Sequence, residues 1–299
     1  MSMPSTAAGG AAGSYSLTPE ELQRWETKGY LGPYTAWSRD EMEQLMRRIR
    51  AVYAHPSAAF GFYTTRDRHL DSHALCMAGT HPAIVERCAA LYGPDLLLWR
   101  SQFFHKPPGG DEILYHQDLG FPGWKHRIPA LEPCTNVAAW LACTTASKAN
   151  GCVKLLPGTH LQPMEERPTD GSGPFGRDTE LVGLERFEPV YMELEPGQFF
   201  LFNESVVHGS DANRSDTDRT GVVFRFTPTS TRIYSGRQFD DSGMPVKAWH
   251  AILVHGRDDE GHNRLGPAPS GENLPGRVGR LIGRVRRRYY RLVHGMHYS

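Results

Sequence analysis

Two side chains in Tyr115-His116-Gln117-Asp118-Leu119 are spaced to act on one object. Successive side chains of a β-strand point to opposite faces, so His116 and Asp118 share a face while Gln117 points away. An imidazole and a carboxylate set side by side are two ligands for a divalent metal. The third donor is His208, in Val206-Val207-His208-Gly209-Ser210, at the end of another strand-like run. Two histidines and one carboxylate on one side of a metal, with the other positions open, form the donor set of non-haem Fe(II) centres. Arg219 follows eleven residues beyond His208, at the start of the next strand, from where it can reach the same cavity. Its planar fork suits a carboxylate through two parallel hydrogen bonds. A metal triad beside a carboxylate anchor is what an oxo-acid cosubstrate requires. A His and an Asp two residues apart also occur by chance. The weight therefore rests on the surroundings: a Gly-rich turn before His116, Leu119-Gly120-Phe121 after Asp118, and a polar loop after His208.

Stepping outward to the elements that must carry these residues, Thr18-Pro19-Glu20-Glu21 is a capping box with proline at the first helical position. Ser38-Arg39-Asp40-Glu41 is a second box, and Met42, Leu45, Met46, Ile49 and Val52 follow it at helical spacing. Pro82 to Leu91 forms a third helix, stopped by Gly93-Pro94. From Asp95 the texture changes to short apolar or alternating runs: 96–104, 113–119, 137–144, 152–156, 190–194, 198–202 and 221–227. Pro, Gly and Asn punctuate them, as in Pro107-Pro108-Gly109-Gly110 and Pro196-Gly197. Helices first and strands after, without βαβ alternation, argue against a doubly wound sheet. The expected architecture is mainly β with flanking helices, a double-stranded β-helix (jelly roll). One domain spans 15–275, with helices over 17–92, the jelly roll over 95–231, and a long polar insertion over 162–188 that reads as a lid. Residues 1–14 read as a disordered tail. The segment 276–299 is basic, with seven arginines and no acid between Arg277 and Arg291.

With 33 basic and 33 acidic side chains the chain is neutral, which argues against a general nucleic-acid or membrane binder. No apolar run reaches the length of a transmembrane helix, and the Gly/Ala-rich start does not resemble a signal peptide. The five cysteines form no CxxC pair, so the expectation is reduced thiols and a cytoplasmic protein.

The motifs together resemble the phytanoyl-CoA dioxygenase-like superfamily of Fe(II)/2-oxoglutarate oxygenases, and within it the non-haem chlorinating enzymes that act on carrier-bound amino acids. The resemblance runs from about Leu17 to Arg264. It includes Leu17-Thr18-Pro19-Glu20, Gly29-Tyr30-Leu31-Gly32-Pro33, Arg68-His69-Leu70-Asp71, Tyr115-His116-Gln117, Asn150-Gly151-Cys152, Leu156-Pro157-Gly158-Thr159 and Pro196-Gly197-Gln198-Phe199. It implies that His116, Asp118 and His208 bind Fe(II), that 2-oxoglutarate and O2 are cosubstrates, and that Arg219 pairs with the distal carboxylate of 2-oxoglutarate. Trp140 matches a family tryptophan near the cosubstrate. Arg225 matches a second arginine facing the cavity, with a structural ion pair as its other reading. A family hydroxyl residue just before the HxD is Ile113 here.

One departure matters for the chemistry. The chlorinating enzymes carry a small residue in place of the HxD carboxylate, which frees a coordination position for chloride; here Asp118 fills it. The resemblance therefore implies an oxygenase that hydroxylates an unactivated C–H of an amino-acid-derived or other natural-product intermediate, free or tethered to an acidic carrier protein. Desaturation, cyclisation and epimerisation are alternative outcomes of the same cofactors, and a non-catalytic metal-binding protein of this fold is a further one. Candidate substrate walls are Gln102, Phe104, Phe121, Trp124, Phe200 and Trp249.

Overall fold

The computed structural model describes residues 15–54, 65–118, 130–171, 179–236, 246, 249–272, 281 and 285. Both capping boxes form as read. The Thr18 hydroxyl accepts from the Glu21 amide and the Glu21 carboxylate accepts from the Thr18 amide, which starts helix α1 (Pro19–Lys28). Ser38 and Glu41 do the same for α2 (Arg39–Tyr53). Two more helices follow, α3 (His73–Gly79), capped by Ser72, and α4 (Pro82–Tyr92).

The region expected to be helical also contains a strand, β1 (Tyr30–Thr35). Gly29 ends α1 in the left-handed conformation, and Tyr30 and Leu31 are then buried against a sheet, with Tyr30 paired to Phe202. A short strand of this kind exists through its distant partner, not through its own sequence pattern. The remaining strands are β2 (Leu96–Lys106), β3 (Ile113–His116), β4 (Leu131–Glu132), β5 (Val137–Ala142), β6 (Val153–Leu156), β7 (Glu166–Pro168), β8 (Thr179–Leu181), β9 (Val190–Tyr191), β10 (Gln198–Asn203), β11 (Val207–Ser210), β12 (Arg219–Pro228), β13 (Arg232–Ile233) and β14 (Ile252–His255).

A six-stranded sheet in the order β1-β10-β5-β12-β2-β14 faces a four-stranded sheet in the order β3-β11-β6-β9, every pairing antiparallel. This is the jelly-roll sandwich, extended past its expected end at 231 by β14. The large sheet is covered on both faces, which is why β5 is apolar at every position instead of alternating. Ala139, Leu141, Phe199, Leu201, Val222 and Phe224 pack outward against Met42, Met46, Ile49, Leu75 and Ile84 of the helices. Ala138, Trp140, Phe200, Phe202 and Val223 pack inward against Val153, Leu155 and Met192. Each fully buried Leu or Phe contributes about 1.5–3 kcal/mol, so the two layers act as one rigid frame.

The insertion at 162–188 is not structureless. β7 and β8 pair as a small ribbon, and Met164, Leu181, Leu184 and Phe187 pack on Leu156 and Val207, next to the strand that bears His208. Residues 172–178, the start 1–14 and nearly all of the arginine-rich segment lie outside the described residues. Among the described residues no helix is long and apolar enough to cross a membrane.

Candidate metal centre

β3 and β11 are antiparallel neighbours, and their register sets His116 directly opposite His208 with ring centroids 4.3 Å apart. Gly209 permits the close approach: a Cβ there would lie 2.6 Å from the Ile113 carbonyl oxygen. Each imidazole is oriented by its own strand. Nδ1 of His116 lies 2.8 Å from the Leu114 carbonyl and Nδ1 of His208 lies 2.9 Å from the Val206 carbonyl. A carbonyl can only accept, so Nδ1 carries the proton in both rings and Nε2 presents a lone pair.

Both Nε2 atoms point toward Asp118, 3.6 Å from Oδ1 for His116 and 3.7 Å from Oδ2 for His208. The three donor atoms lie within 4.8 Å of one another, close enough to share one ion, and this is the one such cluster among the described residues. β3 ends at His116, short of the run expected to 119, and Gln117 just beyond it donates to the Ser205 carbonyl. Two neutral nitrogens and a carboxylate suit a borderline divalent metal such as Fe(II).

Asp118 is held from two directions by one residue. Its amide donates to the Glu204 carbonyl at 3.0 Å, and Arg225 bridges the Glu204 and Asp118 carboxylates, with Nη2 2.7 Å from Asp118 Oδ2. Burial works against the charge of Asp118, but Arg225, then His208 and His116, outweigh it and hold the carboxyl well below the usual carboxylate range. Burial pushes Glu204 up to about 7, against the pull of Arg225. Arg225 is thus an ion-pair partner of both Glu204 and the candidate ligand Asp118. Glu204 was not foreseen. It lies in an Asn203-Glu204-Ser205 turn with no periodicity to single it out.

Residues 219, 221, 223 and 225 of β12 share the inner face with their β2 partners Lys106, Phe104, Gln102 and Arg100. Arg219 is 1% exposed, no acid among the described residues pairs with it, and its Nε has no hydrogen-bond partner. Burial brings its pKa down to about 10. An uncompensated buried guanidinium is costly unless a carboxylate joins it. Its carbon sits 5.6 Å from the Trp140 ring centroid. Trp140 in turn stacks on Phe200 at 5.9 Å and lies across Gly221, where a Cβ would come within 2.1 Å of the indole.

Gln102 and Phe104 are half-buried on this face, beside Val223 and Gly221. Phe200 is fully buried between Trp140 and Phe202, a core position rather than a wall. Trp249 sits in a separate cluster with Trp99 and Tyr234, 5.2 Å from the Tyr234 ring. Phe121 and Trp124 lie outside the described residues. Ile113 supplies no hydroxyl, but its partner across β3 and β11 is Ser210.

The family model for phytanoyl-CoA dioxygenase (PhyH) matches residues 25–221, well over half of the chain. Rat peroxisomal phytanoyl-CoA dioxygenase is 28% identical over 163 residues, which cover 52% of this chain and 46% of that enzyme. The chain thus spans about half the length of the mammalian relatives it matches. The dioxygenase lolE1 of Epichloe uncinata is 27% identical over 225 residues, covering 69% of this chain and 81% of that protein. The solved structure of CytC3 with Fe(II) and alpha-ketoglutarate superposes with a TM-score of 0.69 at 27% identity, covering 88% of this chain and 98% of that one.

Proposed function

The chain belongs to the phytanoyl-CoA dioxygenase (PhyH) family, and on that premise we propose that it is an Fe(II)- and 2-oxoglutarate-dependent oxygenase that hydroxylates an unactivated C–H of a small molecule. The observation that carries this is the convergence of His116, Asp118 and His208 on one point within a sandwich that also buries Arg219 with no acid paired to it among the described residues. When bound, the iron with 2-oxoglutarate and O2 supplies an oxidant strong enough to attack such a bond. The chain supplies the rest. His116, Asp118 and His208 would hold the metal through two imidazole nitrogens and one carboxylate. Arg219 receives the distal carboxylate of 2-oxoglutarate, and Trp140 walls that end of the site. Asp118 would fill the position that is a small residue in the chlorinating enzymes the motifs resemble, which favours hydroxylation over halogenation. Gln102 and Phe104 line the approach on the inner face, and Phe121 and Trp124 are further candidates for contact with the substrate. The described parts of the insertion, 162–171 and 179–188, are suited to exclude water as a lid.

The substrate class we favour is an amino-acid-derived or other natural-product intermediate, free or tethered to a carrier protein, in a reducing cytoplasmic setting where the five free thiols persist. The test is a panel of such compounds, free and carrier-bound, scored for succinate formed in step with oxidised product. One-to-one coupling for a panel member supports the reading. Product without succinate would remove 2-oxoglutarate from it, and desaturated, cyclised or epimerised product would replace hydroxylation.

A further inference from the structure

Two cations are buried side by side at one end of the inner face. β2 and β12 set Lys106 directly opposite Arg219, at 4% and 1% exposure. Like charges in facing positions repel, and burial strips both of water. The lysine responds: burial first, then Arg219, pull its pKa down to about 8. Asp211 and Glu112 act on it in the opposite sense, Lys154 in the same sense as Arg219. Neither acid pairs with Lys106, and the Asp211 carboxylate is taken by Lys154 at 2.6 Å.

The ammonium itself touches two neutral oxygens, Ser210 Oγ at 2.7 Å and the Asp211 carbonyl at 2.5 Å. An ammonium has three N–H donors, so one remains. Ser210 lies two residues beyond His208 on β11, which ties the lysine to the strand of the candidate metal centre. The stem is held as well: a Cβ at Gly151 would meet Lys106 Cδ at 3.0 Å. A buried, positioned pair of cations with no ion-paired acid among the described residues is built for an anion that arrives later.

We propose that Lys106 is a second cation for the carboxylate that Arg219 receives, so that ammonium and guanidinium flank the distal carboxylate of 2-oxoglutarate while Ser210 and the Asp211 carbonyl fix the ammonium in place. The identity of the ligand rests on the oxygenase reading; the demand for a carboxylate rests on the cation pair alone.

The test measures 2-oxoglutarate binding and thermal stability with Mn(II) in place of Fe(II), so that no turnover is involved. Lys106→Met keeps most of the stem and removes the charge. The variant without ligand should melt at or above the wild-type temperature, because a buried like-charged neighbour has gone. Its dissociation constant for 2-oxoglutarate should rise about 10- to 100-fold, the range for losing one charged hydrogen-bond donor. A lysine that only ties β2 to β11 gives the reverse: a lower melting temperature without ligand and unchanged affinity. That result overturns the proposal, and Lys106→Gln provides the same comparison if the methionine variant does not fold. Arg219→Met separates the two readings. Wild-type binding that is lost in Arg219→Met but intact in Lys106→Met removes Lys106 and leaves the oxygenase. A wild type that binds glutarate but not 2-oxoglutarate removes the cosubstrate and leaves the cation pair. A wild type that binds neither removes both.

Discussion

Asp118 faces the lone-pair nitrogens of two imidazoles and is ion-paired to Arg225 beside it. A carboxylate so surrounded stays ionised, which is the form a metal needs. Glu204 then acts through Arg225 to fix which way Asp118 faces. Glu204→Gln should therefore weaken Mn(II) or Fe(II) binding by about 10-fold or more, the usual penalty for removing an outer hydrogen-bond partner of a ligand. Unchanged affinity by metal titration would reduce Glu204 to a core ion pair. Lys106 makes a prediction in stability. Its pKa falls from an ordinary 10.5 to about 8 on folding, so between those values the unfolded chain holds a proton that the folded chain has released. Stability from this group therefore rises with pH across that window and is poorest below it. The difference in unfolding free energy between wild type and Lys106→Met should narrow from pH 7.5 toward pH 10, about the span of those values. Denaturant unfolding at both pH values checks this. At this scale the sequence was partly legible. The HxD pair declares itself by residue type and spacing, although β3 ends at His116 and Asp118 is placed by Glu204 and Arg225, whereas Lys106 and Glu204 owe their meaning to partners that meet them through folding.

Among the elements, the helix starts were readable because a capping box is complete within four residues. β1 and β14 were not readable, since each is a strand by virtue of pairing with β10 or β2 far along the chain. The order within the polar insertion is hidden from the sequence for a related reason: Met164, Leu181, Leu184 and Phe187 are too sparse to form a pattern, yet they converge on Val207. The sheet also positions the site by omission. Gly221 leaves room for the Trp140 ring, and Arg219 sits over that ring. Gly221→Ala should displace the indole, destabilise the fold by about 1–3 kcal/mol and weaken 2-oxoglutarate binding along with it. A variant with full stability and full affinity by calorimetry would mean that Trp140 moves freely, contrary to the packing described.

At the scale of the molecule, one sheet has two jobs. Its outer face holds the helices and its inner face carries the chemistry, and alternation along β12 assigns each residue to one or the other. Phe224→Ala should consequently cost about 3–5 kcal/mol of stability while leaving the metal affinity of the folded fraction unchanged. Loss of metal binding in proportion to loss of stability would show that the two faces are not independent. The central claim concerns the inner face alone: residues 116, 118 and 208 share one iron beside a guanidinium that grips a keto diacid. Anaerobic titration with Fe(II) and 2-oxoglutarate, followed by the weak visible charge-transfer band of the chelate, tests it most directly. A shared iron site predicts a band that saturates at one iron per chain, disappears in His208→Ala and needs about 10- to 100-fold more 2-oxoglutarate in Arg219→Met. No band in the wild type, or an undiminished one in His208→Ala, would contradict it.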